Sequence, residues 1–170
     1  MKTTARKCLI LAGVVSATLV PISHTPVLAQ VNWYGLAAQG VSSDPDSQRN
    51  AMRTVNDMVG NLQNATQTAS SFGNNGYGNV WQQFQYLRAG YSTFTMTLNS
   101  QQSSEGANEI AELSSGLDIL AEAFTNYQDD IANGRSAEMS LQDMCQVLNQ
   151  AASVWLQEFN QDCRRLNVGW

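Results

Sequence analysis

The sequence predicts an all-α protein: an antiparallel up-down-up-down four-helix bundle that follows a cleaved signal peptide. Three observations carry this. Four segments beyond residue 43 hold large apolar residues at alternating steps of three and four, the seam by which helices pack knobs into holes. Stretches rich in Gly, Asn and Ser separate them. The chain begins with Lys2, Arg6 and Lys7, then a short apolar run from Cys8 to Val20, then Pro21, Pro26 and Val27-Leu28-Ala29 before Gln30. That is the pattern of a secretory signal cleaved after Ala29. The apolar run is 13 residues long, whereas a membrane-spanning helix needs about 20.

Residues 30–43 carry Trp33, Tyr34, Leu36 and Val41 without a sustained period. They read as a strap that lays aromatics on the bundle, in preference to an aromatic docking patch. The bundle proper then covers 44–170, with helices over about 45–72, 80–101, 105–132 and 137–167.

The first helix starts at Asp44, where Ser43, Asp44, Pro45 and Asp46 combine a cap, a first-turn proline and acids that suit the dipole. Its seam is Ala51, Val55, Met58, Leu62, Ala65, Ala69 and Phe72. Gly73 supplies the stop and Asn74 to Asn79 a loop. In the second helix Asn79 and Gln82 form a capping box. Val80, Phe84, Leu87, Tyr91, Phe94 and Leu98 line its seam, with Trp81 beside them. The polar run Asn99 to Ser104 makes a tight turn centred near Ser103. That centre places Gly90 and Gly116 at one level, where they would permit a close backbone crossing of the second and third helices.

The third helix carries Ile110, Leu113, Leu117, Leu120, Phe124, Tyr127 and Ile131, and stops at Gly134. Glu105, Glu109 and Glu112 share one of its faces. A solvated acidic face outweighs a cation site here, because neither a calcium-ligand loop nor the histidines of di-metal bundles are present. The fourth helix begins at Ser136, or at Ser140 with Asp143 as a capping box. Its broad apolar face includes Leu141, Met144, Cys145, Leu148, Ala152, Trp155, Leu156, Phe159, Cys163 and Leu166. Trp170 packs on the bundle end. Cys145 and Cys163 would stand about 27 Å apart along one helix, far beyond the roughly 7 Å of a disulfide. Two buried, unpaired thiols are expected, against a broken helix or a bridge between chains.

Removal of residues 1–29 takes away the only histidine, His24, and both lysines, and leaves six arginines against fourteen acids, a formal charge of −8. Without histidine there is no Ser-His-Asp or Cys-His site and no His-ligated haem or zinc. Without lysine there is no Schiff-base nucleophile. The charge argues against nucleic acid and anionic lipid as partners. No later segment has the length and apolarity of a transmembrane helix. No catalytic, cofactor-binding or metal-ligating residue is assigned, and no cofactor is implied. Asn64-Ala65-Thr66 matches a glycosylation acceptor by chance, inside a helix.

The expected protein is therefore exported, periplasmic or extracellular, and non-enzymatic. It acts by binding an unknown protein partner or by self-association. The alternative is a carrier of a small apolar ligand held between the helices near the alanine-rich seam. Behind both stands an enzyme using carboxylates alone, or a cation-binding protein.

Overall fold

The computed structural model describes residues 42–168, the side chains of 72–74 excepted. The signal segment 1–29, the strap residues Trp33, Tyr34, Leu36 and Val41, the Phe72 side chain and Trp170 lie outside the described residues. The described residues are helical, with no strand among them. In order they form α1 (Pro45–Thr68), a 3-10 segment (Ala69–Asn75), α2 (Gly76–Met96), the short α3 (Ser100–Glu105), α4 (Ala107–Ala132) and α5 (Ala137–Arg165).

The start of α1 is where the sequence puts it. Asp44 is extended and accepts from the backbone N–H groups of Asp46 and Ser47 at 2.9 and 3.0 Å. The Ser47 hydroxyl also donates to it, and this bond leads the causes that hold the Asp44 carboxyl well below the usual carboxylate range. The other end differs from expectation. The α-helix stops at Thr68, and α2 begins at Gly76, not at residue 80. Asn79 therefore lies inside α2, and the Asn79–Gln82 capping box does not form. The cause is tertiary. Tyr77 stacks on Tyr127 at 4.7 Å between centroids and meets Phe124 edge-on, and its hydroxyl accepts from Gln128 at 3.0 Å. These contacts hold one more turn helical despite Gly76 and Gly78, overriding propensity.

The polar run Asn99 to Ser104 is a helix, not a turn. Asn99 accepts from the Gln102 N–H, and the Gln102 side chain accepts from the Asn99 N–H, a reciprocal capping box that makes α3. The reversal falls earlier, at Thr97–Asn99. The Leu166 side chain fills the space beside Gly106, where α3 gives way to α4. Gly134 ends α4 as expected, at φ 81°, with the Arg135 N–H donating to the Asp130 carbonyl at 2.9 Å. Helix α5 starts after Ser136. Ser140 is buried inside it without a hydroxyl partner, so the alternative start at Ser140 does not hold. At its end Asn167 takes φ 55°, and the N–H of the buried Val168 donates to the Cys163 carbonyl. This is a Schellman closure with Asn in place of Gly.

Polar side chains tie the helices to one another. Between α1 and α5, Asn56 and Asn160 exchange amide hydrogen bonds, and Gln63 donates to Ser153. Between α2 and α4, Arg88 reaches Asp118, and the Tyr91 hydroxyl donates to the Ile110 carbonyl. Helix α1 packs on α2, and α4 on α5, with the closest backbones. The core draws residues from α1, α2, α4 and α5, with Phe84, Phe159, Leu62, Leu87 and Leu148 fully buried. Val59 and Ala123 join it from outside the expected seams, whereas Ile131 is 38% exposed.

The glycine crossing is not found. The level is right, since Arg88–Asp118 and Trp81–Phe124 obey the same register. However, α2 and α4 are held apart by large side chains. Gly90 faces Met58 of α1, and Gly116 faces Trp155 of α5. Each glycine is a slot for one large side chain of a different neighbour.

One buried polar cluster joins the ends of four elements. Gln48, 3% exposed, donates from Nε2 to the Thr97 carbonyl at 3.0 Å and to Gln102 Oε1 at 2.7 Å. Gln102 in turn donates to the Leu166 carbonyl.

Candidate functional site

Two places on the surface depart from a plain helical exterior. The first is the outer groove between α4 and α5. Its register is fixed at two points. Trp155 lies against Gly116 and donates from its indole N–H to the Leu113 carbonyl at 2.8 Å. Arg165 pairs with Glu109. The flank of α4 that faces α5 therefore carries Glu109, Glu112, Gly116 and Ile119, at steps of three and four. The matching flank of α5 carries Arg165, Asp162, Glu158, Val154 and Val147. Ile119, Val147 and Val154 are exposed at 62, 55 and 56%. Three branched apolar side chains thus stand in solvent along one groove, none of them on a core seam.

At one end of the groove the carboxylates crowd. Arg165 reaches Glu109 and lies 3.4 Å from Asp162. Glu109 is only 18% exposed, and its second oxygen is buried without a partner. Burial, then the charges of Glu112 and Glu158, push the Asp162 carboxyl up. At the other end Arg135 bridges Asp130 and Asp143, and those bonds hold its own pKa up. The expectation of one solvated glutamate face is thus corrected. Glu105 sits on α3 and accepts from Gln101, Glu109 is mostly covered by its ion pair, and only Glu112 of the three is a free-standing groove carboxylate. Among the described residues no group of His, Cys, Asp and Glu is arranged to hold a metal ion.

Charge follows the same division of the molecule. Residues 42–98 hold Asp44, Asp46 and Asp57 against Arg49, Arg53 and Arg88. Residues 99–168 hold the other eleven acids against Arg135, Arg164 and Arg165. The net charge of −8 that residues 42–168 carry therefore rests on α3, α4 and α5 and the residues that join them.

The second place is a cleft of ≈ 690 Å³ where the end of α1, the 3-10 segment and Tyr77 meet the end of α4 and the first turns of α5. Tyr77, Tyr127, Leu141, Ala69 and Cys145 give it apolar surface, and Thr66, Gln142, Gln146 and Asn149 give it polar groups. Glu138 is the one carboxylate in its lining. Ala69, which the structure places in the 3-10 segment, is the only alanine of the expected first-helix seam to border it. Ala65 is buried in close packing.

The two cysteines among the described residues, Cys145 and Cys163, are buried and unpaired on the unbroken α5. Burial pushes Cys145 up to about 11; burial and then the Asp162 charge push Cys163 up to about 12. The arginines that follow Cys163 do not activate it. No described helix is long and apolar enough to cross a membrane. Comparison with protein-family models, with curated proteins and with solved structures returns no match.

Sequence reasoning passed over Ile119, Val147 and Val154. They were readable as apolar residues one place before a seam residue, Leu120, Leu148 and Trp155 in turn, the signal that a helix has a second apolar stripe.

Proposed function

We propose that the chain is an exported, non-enzymatic four-helix bundle of up-down-up-down topology that works by binding another protein through the outer groove of α4 and α5. The observation that carries this reading is the exposure of Ile119, Val147 and Val154 together on the half that holds all the net charge. Exposed apolar side chains grouped inside a charged rim are what interaction surfaces present. Self-association remains the second form of the same reading.

The test is native size analysis of the chain in extracts of the cell that makes it. Wild type should travel in a complex, and Ile119→Asn/Val154→Asn should return it to the size of the free chain. Asn has a helix propensity close to those of Ile and Val, so the fold is not strained. Asp57→Asn, on α1, should leave the complex intact. A wild-type chain that is free under all conditions contradicts the reading.

The cleft supports a second reading, a small-ligand carrier. Its mixed lining favours a ligand with both a ring face and hydrogen-bonding groups over a purely apolar one.

A further inference from the structure

We infer that the α4–α5 groove receives a cationic amphipathic helix of a partner protein. This rests on the interaction reading above and names the partner's chemistry. The groove has the parts of a helix-in-groove site. Its middle is apolar, with Ile119 and Val154 nearly level across it and Val147 two turns further along. Its ends carry more carboxylates than arginines, with Glu112 and Glu158 at one and Asp130 and Asp143, bridged by Arg135, at the other. From Glu112 to Asp130 along α4 is about 27 Å, the span of a helix of about 18 residues. A helix with apolar residues at every third and fourth place would cover the middle, and lysines or arginines toward its ends would meet the carboxylates.

Charge selects this occupant over a second copy of the chain. Two such faces laid together would bring acid against acid, and like charges juxtaposed at an interface oppose association. The crowded end makes the same point locally. Glu109, Glu112, Glu158 and Asp162 crowd together there with Arg165 on Glu109 and Asp162, and an approaching cation offsets the charges of Glu112 and Glu158, which add to burial in raising Asp162. An apolar partner without basic residues would leave that end as strained as before.

The test is titration of the full chain with a labelled peptide of about 18 residues, leucine along one helical face and lysine elsewhere, followed by fluorescence anisotropy. A peptide with glutamate in place of lysine is the control. The lysine peptide should bind, and the glutamate peptide should not. Ile119→Asn/Val154→Asn keeps every charge and should weaken binding about tenfold through lost apolar burial. Glu112→Gln/Glu158→Gln should weaken it comparably at low salt and little at high salt. Asp57→Asn should change nothing. Equal affinity for wild type and Ile119→Asn/Val154→Asn would mean diffuse charge attraction only, and overturns the groove. Failure of the peptide while the cellular complex still depends on Ile119 and Val154 overturns the cationic helix and spares the interaction reading. A homodimer in sedimentation that Ile119→Asn/Val154→Asn dissolves makes a second copy the occupant, and also overturns it.

Discussion

Gly116 and Gly90 look alike in the sequence, and their surroundings make them opposite. A methyl group at residue 116 would come within 2.7 Å of Trp155 Cδ1. That indole is pinned by its bond to the Leu113 carbonyl and by stacking on Phe159 at 5.4 Å. It has nowhere to go, so Gly116→Ala should destabilise by about 1–3 kcal/mol as an overpacked site. A methyl at residue 90 meets the Met58 thioether, the end of a flexible chain that can move aside. Gly90→Ala should therefore be neutral or gain up to about 1 kcal/mol of helix propensity. Urea unfolding of the two variants checks the difference in sign. Asp162 supplies a pH test. A carboxyl with a raised pKa in the folded state binds a proton more readily there than in the unfolded chain, so its charge costs stability as pH rises above the ordinary aspartate range. Asp162→Asn should stabilise by roughly 0.2–0.5 kcal/mol at neutral pH, the scale of a like-charge helix pair. The gain should shrink as pH falls through about 4. The thiols give a third measurement. With Cys163 pushed up to about 12 and buried, alkylation of the native protein at neutral pH should proceed no faster than unfolding exposes it.

Among the elements, those with their own punctuation were legible and those made by neighbours were not. Asp44 with Pro45, and Gly134 after the apolar period of α4, mark their ends within a few residues of chain, because caps and left-handed stops are local chemistry. The first turn of α2 exists because Tyr77 finds Tyr127 and Phe124, fifty residues away or nearly so. No local pattern contains that information. Helix α3 was legible in principle, since Asn99 and Gln102 have capping-box spacing, but six polar residues read more readily as a turn. The buried Gln48 was hidden for a different reason. A glutamine beside an amphipathic seam looks solvated until its partners, Thr97 and Gln102, come from other helices. Gln48→Leu leaves the Thr97 carbonyl and Gln102 Oε1 without this donor, and should cost about 1–3 kcal/mol in thermal or urea unfolding.

Across the whole molecule, the sequence separates into a neutral half and an acidic half, and packing turns that division into two kinds of surface. Helices α1 and α2 present balanced charge. Helices α4 and α5 present the net charge, and between them three of the exposed apolar side chains, Ile119, Val147 and Val154. The seams made the helices readable, while the groove required the register of α4 on α5, which only Trp155 against Gly116 and Arg165 against Glu109 establish. The most direct measurement is site-specific photo-crosslinking in the producing cell, with a photoreactive residue placed in turn at Ile119, at Val154, at Gln146 in the cleft and at Asp57 on α1. The account predicts adducts with a second protein from Ile119 and Val154 and none from Gln146 or Asp57. Adducts from Gln146 alone, or equally from all four positions, would contradict it.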